Sequence, residues 1–117
     1  MIGWSGTAAG WLGFDTDARL CERIQQRIGI DVVAERHLGI CVNHDFALVD
    51  TDTLRTLMLD VAASAAQAIS THCTNLRAAP LADGIEATTG IPLLDTVSTT
   101  VWGMLRAAGH DPAGIRG

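Results

Sequence analysis

A cysteine near the middle of the chain has the sequence surroundings of a reactive thiol. Cys73 follows a strand-like apolar run, Ala68 and Ile69, within the segment 70–77, and a helix is predicted to open over residues 76–80. The amino end of a helix favours negative charge and helps a thiol to ionise. The segment therefore predicts a cysteine that gives or takes a proton at a strand-to-helix turn. The alternative is a buried structural thiol, which is a frequent use of free cysteine.

Polar side chains beside Cys73 and on an earlier loop are candidates to bind a substrate. Thr74 and Asn75 follow the cysteine directly, and Asn43 lies in a loop over residues 38–46 that mixes apolar and polar residues. Asn75 either binds a carboxylate or closes the turn. Asn43 likewise either contacts a substrate or has a role in its own turn.

The first fourteen residues are rich in glycine and carry two tryptophans. Residues 5–10, Ser-Gly-Thr-Ala-Ala-Gly, are predicted to form a loop, because glycines permit positive φ and a close backbone approach. Such a loop can direct several backbone N–H groups at one anion. The alternative is a flexible amino-terminal arm without a site.

The other histidines and cysteines give little support for a metal or a disulfide. His37, Cys41 and His44 allow a metal interpretation, but no fourth ligand follows at a usual spacing, so we expect no metal. The three cysteines, with Cys21 the first of them, are odd in number and far apart, which disfavours a disulfide framework. Free thiols are typical of a reducing compartment.

Composition narrows the range of partners. The formal net charge is −5, and the eight cationic residues are all arginine and scattered, so neither a nucleic-acid surface nor a polybasic membrane patch is expected. No apolar run approaches the roughly 20 residues of a membrane span. The amino end lacks the pattern of an export signal. We expect a cytoplasmic protein with no nucleic-acid and no membrane partner.

Helices alternate with strands, a pattern typical of a parallel sheet with helices on its faces. We expect a single α/β domain over residues 15–109 with a small, three- to four-stranded, mainly parallel sheet. A site-loop arm over residues 1–14 precedes it, and a loose tail over residues 110–117 follows. The predicted helices are residues 15–28, 51–65, 78–89 and 95–108, and the predicted strands are residues 30–36, 67–72 and 91–94.

Two of the helices carry apolar stripes, and the strand ends suggest where a ligand would bind. Leu54, Met58 and Val61 recur at helical spacing in the helix over 51–65, which Asp50 or Thr51 caps. In parallel sheets ligands bind beyond the carboxyl ends of the strands, where Cys73 is expected. The last helix carries Val97, Val101, Met104, Leu105 and Ala108 on one side.

Several segments together resemble one enzyme superfamily. The run Ser-x-x-Cys-Thr-Asn-Leu-Arg at 70–77, with residues 85–86, 90–93 and 102–109, resembles the carboxyl-terminal lobe of the aspartate/glutamate racemase superfamily. Within it the segments are most similar to maleate cis-trans isomerase and arylmalonate decarboxylase. The stretch 4–14 resembles the substrate-binding loop of the amino-terminal lobe in the same branch, and Leu38–Ile40 with Phe46 and Val49 resembles a pocket segment.

The resemblance implies a cofactor-independent enzyme with two similar α/β lobes and a small carboxylate or dicarboxylate substrate between them. Cys73 matches the cysteine of the second lobe, and Gly6 stands where the first lobe of a racemase has its cysteine. One cysteine would then donate or accept a proton on one face of an enediolate-like intermediate. Backbone N–H groups and hydroxyls would stabilise its oxygens. The residues implied to bind the substrate are Gly6, Thr7, Ala8, Asn43, Thr74 and Asn75.

The chain is about half as long as the enzymes that it resembles. The resemblance implies a chain shortened at its amino end and internally, without the opening strand and helix of the second lobe. Three hypotheses follow: an isomerase or decarboxylase, an inactive remnant that forms oligomers, and a carboxylate-binding domain without chemistry. The first requires the loop at Gly6 and Thr7 to lie within a few ångströms of Cys73.

Overall fold

A computed structural model describes residues 7–13, 23 and 27–115 of the chain. Four strands form one sheet in the order β2-β1-β3-β4, and each neighbouring pair is parallel. The small, parallel α/β architecture expected from the sequence is confirmed. The strands are β1 (Thr7–Gly13), β2 (Ile30–His37), β3 (Ala68–His72) and β4 (Leu93–Leu94).

Strand β1 corrects two expectations. Residues 7–10 were expected to belong to a loop, but they lie in β1, which pairs with β2 on one side and with β3 on the other. Pairing on both sides satisfies the backbone N–H and C=O groups, and this non-local gain outweighs the loop tendency of the glycines. Residues 7–13 therefore belong to the sheet, whereas residues 1–14 were expected to form an arm outside the domain over residues 15–109.

The first predicted helix, residues 15–28, falls almost entirely outside the described residues. Arg23 and Arg27 are both helical. Gly29, which directly follows the predicted helix, has a left-handed backbone with φ of +81°. Glycine adopts that conformation without the steric cost that other residues meet.

Three helices follow. Helix α1 (Thr51–Ala62) begins where Asp50 accepts a 2.8 Å hydrogen bond from the Thr53 N–H, as the predicted cap requires. Helix α2 (Ala82–Thr89) follows a 3₁₀ turn over Ala79–Leu81 and ends at Gly90. Helix α3 (Thr96–Ala107) is capped by Asp95. Among the described residues, no helix is long and apolar enough to cross a membrane.

The core lies between the sheet and one layer of helices. The stripe predicted from the helical spacing in α1 is buried, and it packs in one cluster with residues of the sheet and of α2. A 3₁₀ helix over Asn43–Leu48 adds Phe46 to this cluster, where an irregular loop was expected. The main members are Phe46, Leu54, Met58, Val61, Ile69, Cys73, Leu76, Ile85 and Leu93.

Helix α3 lies outside this core. None of its residues is buried, although it contacts β3. Three residues of its apolar side, Val97, Val101 and Met104, are exposed, and Met104 keeps 66% of its surface accessible. Large exposed hydrophobic side chains that share one helix face are typical of a surface that contacts another molecule.

Candidate active site at the end of strand β3

Cys73 lies where the sequence predicted it, directly after the last residue of β3. Its residue is 4% exposed and belongs to the hydrophobic cluster. The Leu76 N–H donates to the Cys73 carbonyl at 3.3 Å and closes a tight turn after the strand. The thiol therefore sits between the core and the carboxyl edge of the sheet.

The helix after Cys73 begins later than the sequence predicted. The Ala78 N–H donates to the Leu76 carbonyl at 2.9 Å, so a second turn follows the first, and helical structure starts only at Ala79. The α-helix itself begins at Ala82. Helical structure thus begins within the expected range of residues 76–80, but the α-helix starts later than the predicted first residue, 78, because these turn hydrogen bonds and the 3₁₀ turn replace its first turn. Cys73 is thus not held in the first turn of a helix.

The loop after β2 brings a polar partner to the thiol. The Cys73 Sγ donates to the Asn43 Oδ1 at 4.0 Å, which is a long hydrogen bond suited to sulfur. The Asn75 Nδ2 donates to the main-chain carbonyl oxygen of Asn43 at 3.1 Å. Two segments 30 or more residues apart in sequence therefore meet at Asn43, which is itself exposed. The structure thus brings Cys73, Asn43 and Asn75 together.

Thr74 is placed beside this group on the exposed side of the turn. Its hydroxyl and the N–H groups of residues 74 and 75 lie at the carboxyl edge of the sheet, where parallel sheets bind ligands. The arrangement offers hydrogen-bond donors near a thiol, which is the chemistry that an enediolate requires.

Of the amino-terminal candidates, Thr7 and Ala8 do not reach this edge. Gly6 lies outside the described residues. Thr7 pairs with Ile30 at the start of β2, whereas the carboxyl end of β1, at Gly13, pairs with His72. Thr7 and Gly13 are six residue steps apart along β1, a distance of about 20 Å. The expectation that Thr7 and Ala8 line one site with Cys73 is therefore not met in this arrangement.

The metal interpretation of the loop after β2 finds no geometric support. The His37 Nδ1 lies 2.6 Å from the Glu35 Oε1, within the same strand. Across residues 7–13, 23 and 27–115, no three His, Cys, Asp or Glu side chains are grouped as metal ligands would be. Cys41 is free and exposed, and Cys73 is free and buried.

A family comparison covers nearly the whole of this site. The model of the family described as arylmalonate decarboxylase matches residues 14–116. The chain belongs to the arylmalonate decarboxylase family. The match includes Asn43, Cys73, Thr74 and Asn75, whereas β1 lies before it. No curated protein matches the sequence.

Solved structures show the same fold at low identity. A crystal structure of arylmalonate decarboxylase is 21% identical with a TM-score of 0.78, over 88% of this chain and 47% of that one. The maleate isomerase of Pseudomonas putida S16 is 21% identical with a TM-score of 0.81, over 89% of this chain and 43% of that one. The maleate cis-trans isomerase of Nocardia farcinica, with a covalently bound succinylcysteine intermediate, is 15% identical with a TM-score of 0.81, over 89% of this chain and 44% of that one. The chain thus spans less than half the length of these structures.

Two polar features around the turn could not be predicted from the sequence. The buried Thr71 Oγ1 donates to the Asp95 Oδ1 at 3.4 Å, and the Thr96 hydroxyl donates to the Thr71 carbonyl. These contacts tie the end of β3 to the start of α3. Asp95, only 2% exposed, also accepts 3.0 Å bonds from the N–H groups of Val97 and Ser98.

The second feature is a histidine directly before the cysteine. The His72 Nε2 lies 3.1 Å from the Ser70 Oγ, and both side chains are half-buried. Burial lowers the pKa of His72 from 6.5 to about 4, because desolvation disfavours the charged ring. His72 is therefore neutral at pH 7. Ser70 and His72 alternate along β3 and so share one face, but their burial could not be predicted from the residue types.

Proposed function

We propose that this chain is a cofactor-independent isomerase or decarboxylase that acts on a small carboxylate or dicarboxylate. Cys73 carries the proton that the reaction moves. The observation that supports this most is the thiol at the carboxyl edge of a parallel sheet, hydrogen-bonded to Asn43, in a member of the arylmalonate decarboxylase family. No cofactor takes part in the proposed chemistry.

The proposed decarboxylation needs one proton donor. The bond between the α-carbon and one carboxylate breaks, carbon dioxide leaves, and its electron pair remains on an enediolate. The S–H proton of Cys73 then moves to the α-carbon, and the thiolate regains a proton from water. The proposal does not use the loop at Gly6 and Thr7, whose nearness to Cys73 the enzyme hypothesis required, because Thr7 lies at the opposite end of β1 from this edge. The proposed donors to the enediolate oxygens are instead Asn43, Thr74 and the N–H of Asn75.

An isomerisation would use the same thiol on a dicarboxylate. Two of the structural neighbours are maleate isomerases, one solved with maleate and one with a succinylcysteine intermediate. Maleate and phenylmalonate are therefore the two probes of choice. They share a pair of carboxylates, one of which the polar edge at Asn43 and Thr74 would bind.

Burial of Cys73 sets a condition on this proposal. Cys73 is 4% exposed, so a substrate reaches its thiol only if a neighbour on the solvent side moves while Asn43 keeps its hydrogen bond to the Sγ.

The two cysteines that the structure describes provide the test. We expect the chain to turn over phenylmalonate or maleate, and Cys73→Ala to lower kcat by about 10²- to 10⁴-fold, the usual range for loss of a general acid or base. The matched variant Cys41→Ala, at an exposed cysteine, should keep the wild-type rate. Full turnover in Cys73→Ala, or none with either probe in the wild type, would overturn the proposal.

A second candidate function is a non-enzymatic domain that self-associates. Two observations favour it: the exposed apolar side of α3 and the separation of Thr7 from Cys73. Sedimentation velocity across a range of concentrations distinguishes the two. Self-association without turnover, and without heat of binding for maleate or phenylmalonate, would establish this second function.

A further inference from the structure

Asn75 is joined to a segment far from it in sequence. Its side-chain Nδ2 donates to the main-chain oxygen of Asn43 at 3.1 Å, across a separation of 32 residues. The bond links the turn after β3 to the start of the 3₁₀ helix that follows β2. Side-chain hydrogen bonds that cross between loops restrict both of them.

The turn that contains Asn75 does not need this side chain for its closure. The Leu76 N–H already closes it on the Cys73 carbonyl, through main-chain atoms alone. The acceptor of the Asn75 amide lies outside the turn, on Asn43. Of the two roles expected for Asn75, closing its own turn is therefore not the one that its contacts show.

Asn43 uses a different group to reach the thiol. Its main-chain oxygen accepts from Asn75, while its side-chain Oδ1 accepts from the Cys73 Sγ. Asn75 thus holds the backbone from which the thiol's partner extends.

We propose that Asn75 is a positioning residue, which holds Asn43 so that the Asn43 side chain directs the S–H bond of Cys73. This inference rests on the proposed function of Cys73 as the proton carrier. Asn75 acts through Asn43 and does not contact the substrate with its side-chain amide. A side-chain donor to substrate would raise KM when removed, whereas a positioning residue lowers kcat.

A double-mutant cycle tests whether Asn75 acts on Cys73 through Asn43. The readout is the rate at which iodoacetamide alkylates Cys73 in the full chain, measured across pH and located by peptide mass spectrometry. Asn75→Ala and Asn43→Ala should each raise that rate about threefold or more, because each weakens or removes the hydrogen bond between the Cys73 thiol and Asn43. The double variant should react no faster than either single variant, since both changes remove the same contact.

Controls separate positioning from a general loss of structure. Arg77→Gln, exposed in the same segment, should leave the alkylation profile unchanged. If Asn75→Ala lowers the urea midpoint, Asn75→Asp repeats the test, because it keeps the shape of the side chain and loses the amide donor. Additive effects in the cycle, or an unchanged alkylation rate in the Asn75 variants, would overturn the inference.

Turnover adds a second and independent readout. With phenylmalonate or maleate, Asn75→Ala should lower kcat and leave KM within about twofold of the wild type. A raised KM with unchanged kcat would contradict positioning and indicate a substrate contact. If the wild type shows no turnover, the proposed function fails, while the alkylation cycle still decides whether Asn75 positions the thiol.

Discussion

Asn43 is the residue through which the loop after β2 reaches the thiol of Cys73. Its position could be suspected from the sequence, because a mixed polar and apolar loop followed a predicted strand. Its two contacts could not, since they join residues 30 and 32 positions apart. Local pattern predicts that a polar residue lies near a strand end, but the partner of its hydrogen bond is set by the packing of the whole sheet.

The buried His72 makes stability depend on pH. Its pKa is about 4 when folded and 6.5 when unfolded, so between these values the unfolded chain binds a proton that the folded chain does not. The free energy of unfolding therefore falls as pH drops from 6.5 toward 4, by up to about 1.4 kcal/mol per pH unit from this residue. Urea unfolding at pH 5.0, 6.0 and 7.0 measures the slope.

Two variants test whether His72 causes that slope. His72→Gln should flatten the stability profile between about pH 5 and 6.5, because it removes the group whose proton binding differs between the two states. His110→Gln, at an exposed residue near the end of the chain, should keep the wild-type slope. An unchanged slope in His72→Gln would show that other groups cause it.

At the scale of elements, repeating patterns proved to be the most reliable guide. Helix α1 was predicted from its apolar spacing and its cap, and both Asp50 and the buried stripe are confirmed. Strands β2 and β3 were likewise confirmed to within one residue at each end. These elements depend on local signals, namely a period, a cap and a run of β-branched or apolar residues.

Two elements depended on non-local contacts and were predicted less well. The glycines of β1 favoured a loop, yet pairing with two strands makes it part of the sheet. The helix after Cys73 was expected too early, because the turn hydrogen bonds at Leu76 and Ala78 precede it. In both cases the deciding hydrogen bonds involve geometry that residue types alone do not specify.

A pair of methionines tests the different environments of α1 and α3. Met58 in α1 is fully buried, whereas Met104 in α3 is 66% exposed. Met58→Ala should lower the free energy of unfolding by about 2–5 kcal/mol, because it leaves a cavity in the core. Met104→Ala should change it by less than about 0.5 kcal/mol. Urea unfolding of both variants at pH 7 provides the comparison.

The same pair shows whether α3 is covered by another molecule. If self-association buries Met104, its alanine variant should lose stability at high protein concentration and not at low concentration. Equal losses for Met58→Ala and Met104→Ala at low concentration would contradict the placement of α3 outside the core.

At the scale of the whole molecule, one sheet carries the described part of the site. The family resemblance implies a substrate bound between two lobes, and the chain spans 43–47% of the length of its structural neighbours. The polar group at Cys73, Asn43 and Asn75 belongs to a single lobe. Of the proposed site, the sequence predicted the placement of Cys73 at the carboxyl edge of a parallel sheet, which the structure shows; the binding and catalytic roles of these residues stay predictions.

A single proton donor determines the stereochemistry of the product that the whole protein forms. If Cys73 delivers the proton to one face of a planar enediolate, the new bond to hydrogen forms on that face alone. An arylmalonate with a methyl group on its α-carbon then yields a single enantiomer of the 2-arylpropionate. Proton transfer from bulk water would reach both faces equally and give a racemic product.

The enantiomeric composition of that product is the most direct test of the central claim, that Cys73 is the proton donor. We predict that the full chain converts α-methyl-α-phenylmalonate into one enantiomer of 2-phenylpropionate, as resolved by chiral chromatography. Cys41→Ala should give the same enantiomer, and Cys73→Ala should lose the activity. A racemic product, or a single enantiomer formed at an undiminished rate by Cys73→Ala, would contradict the claim.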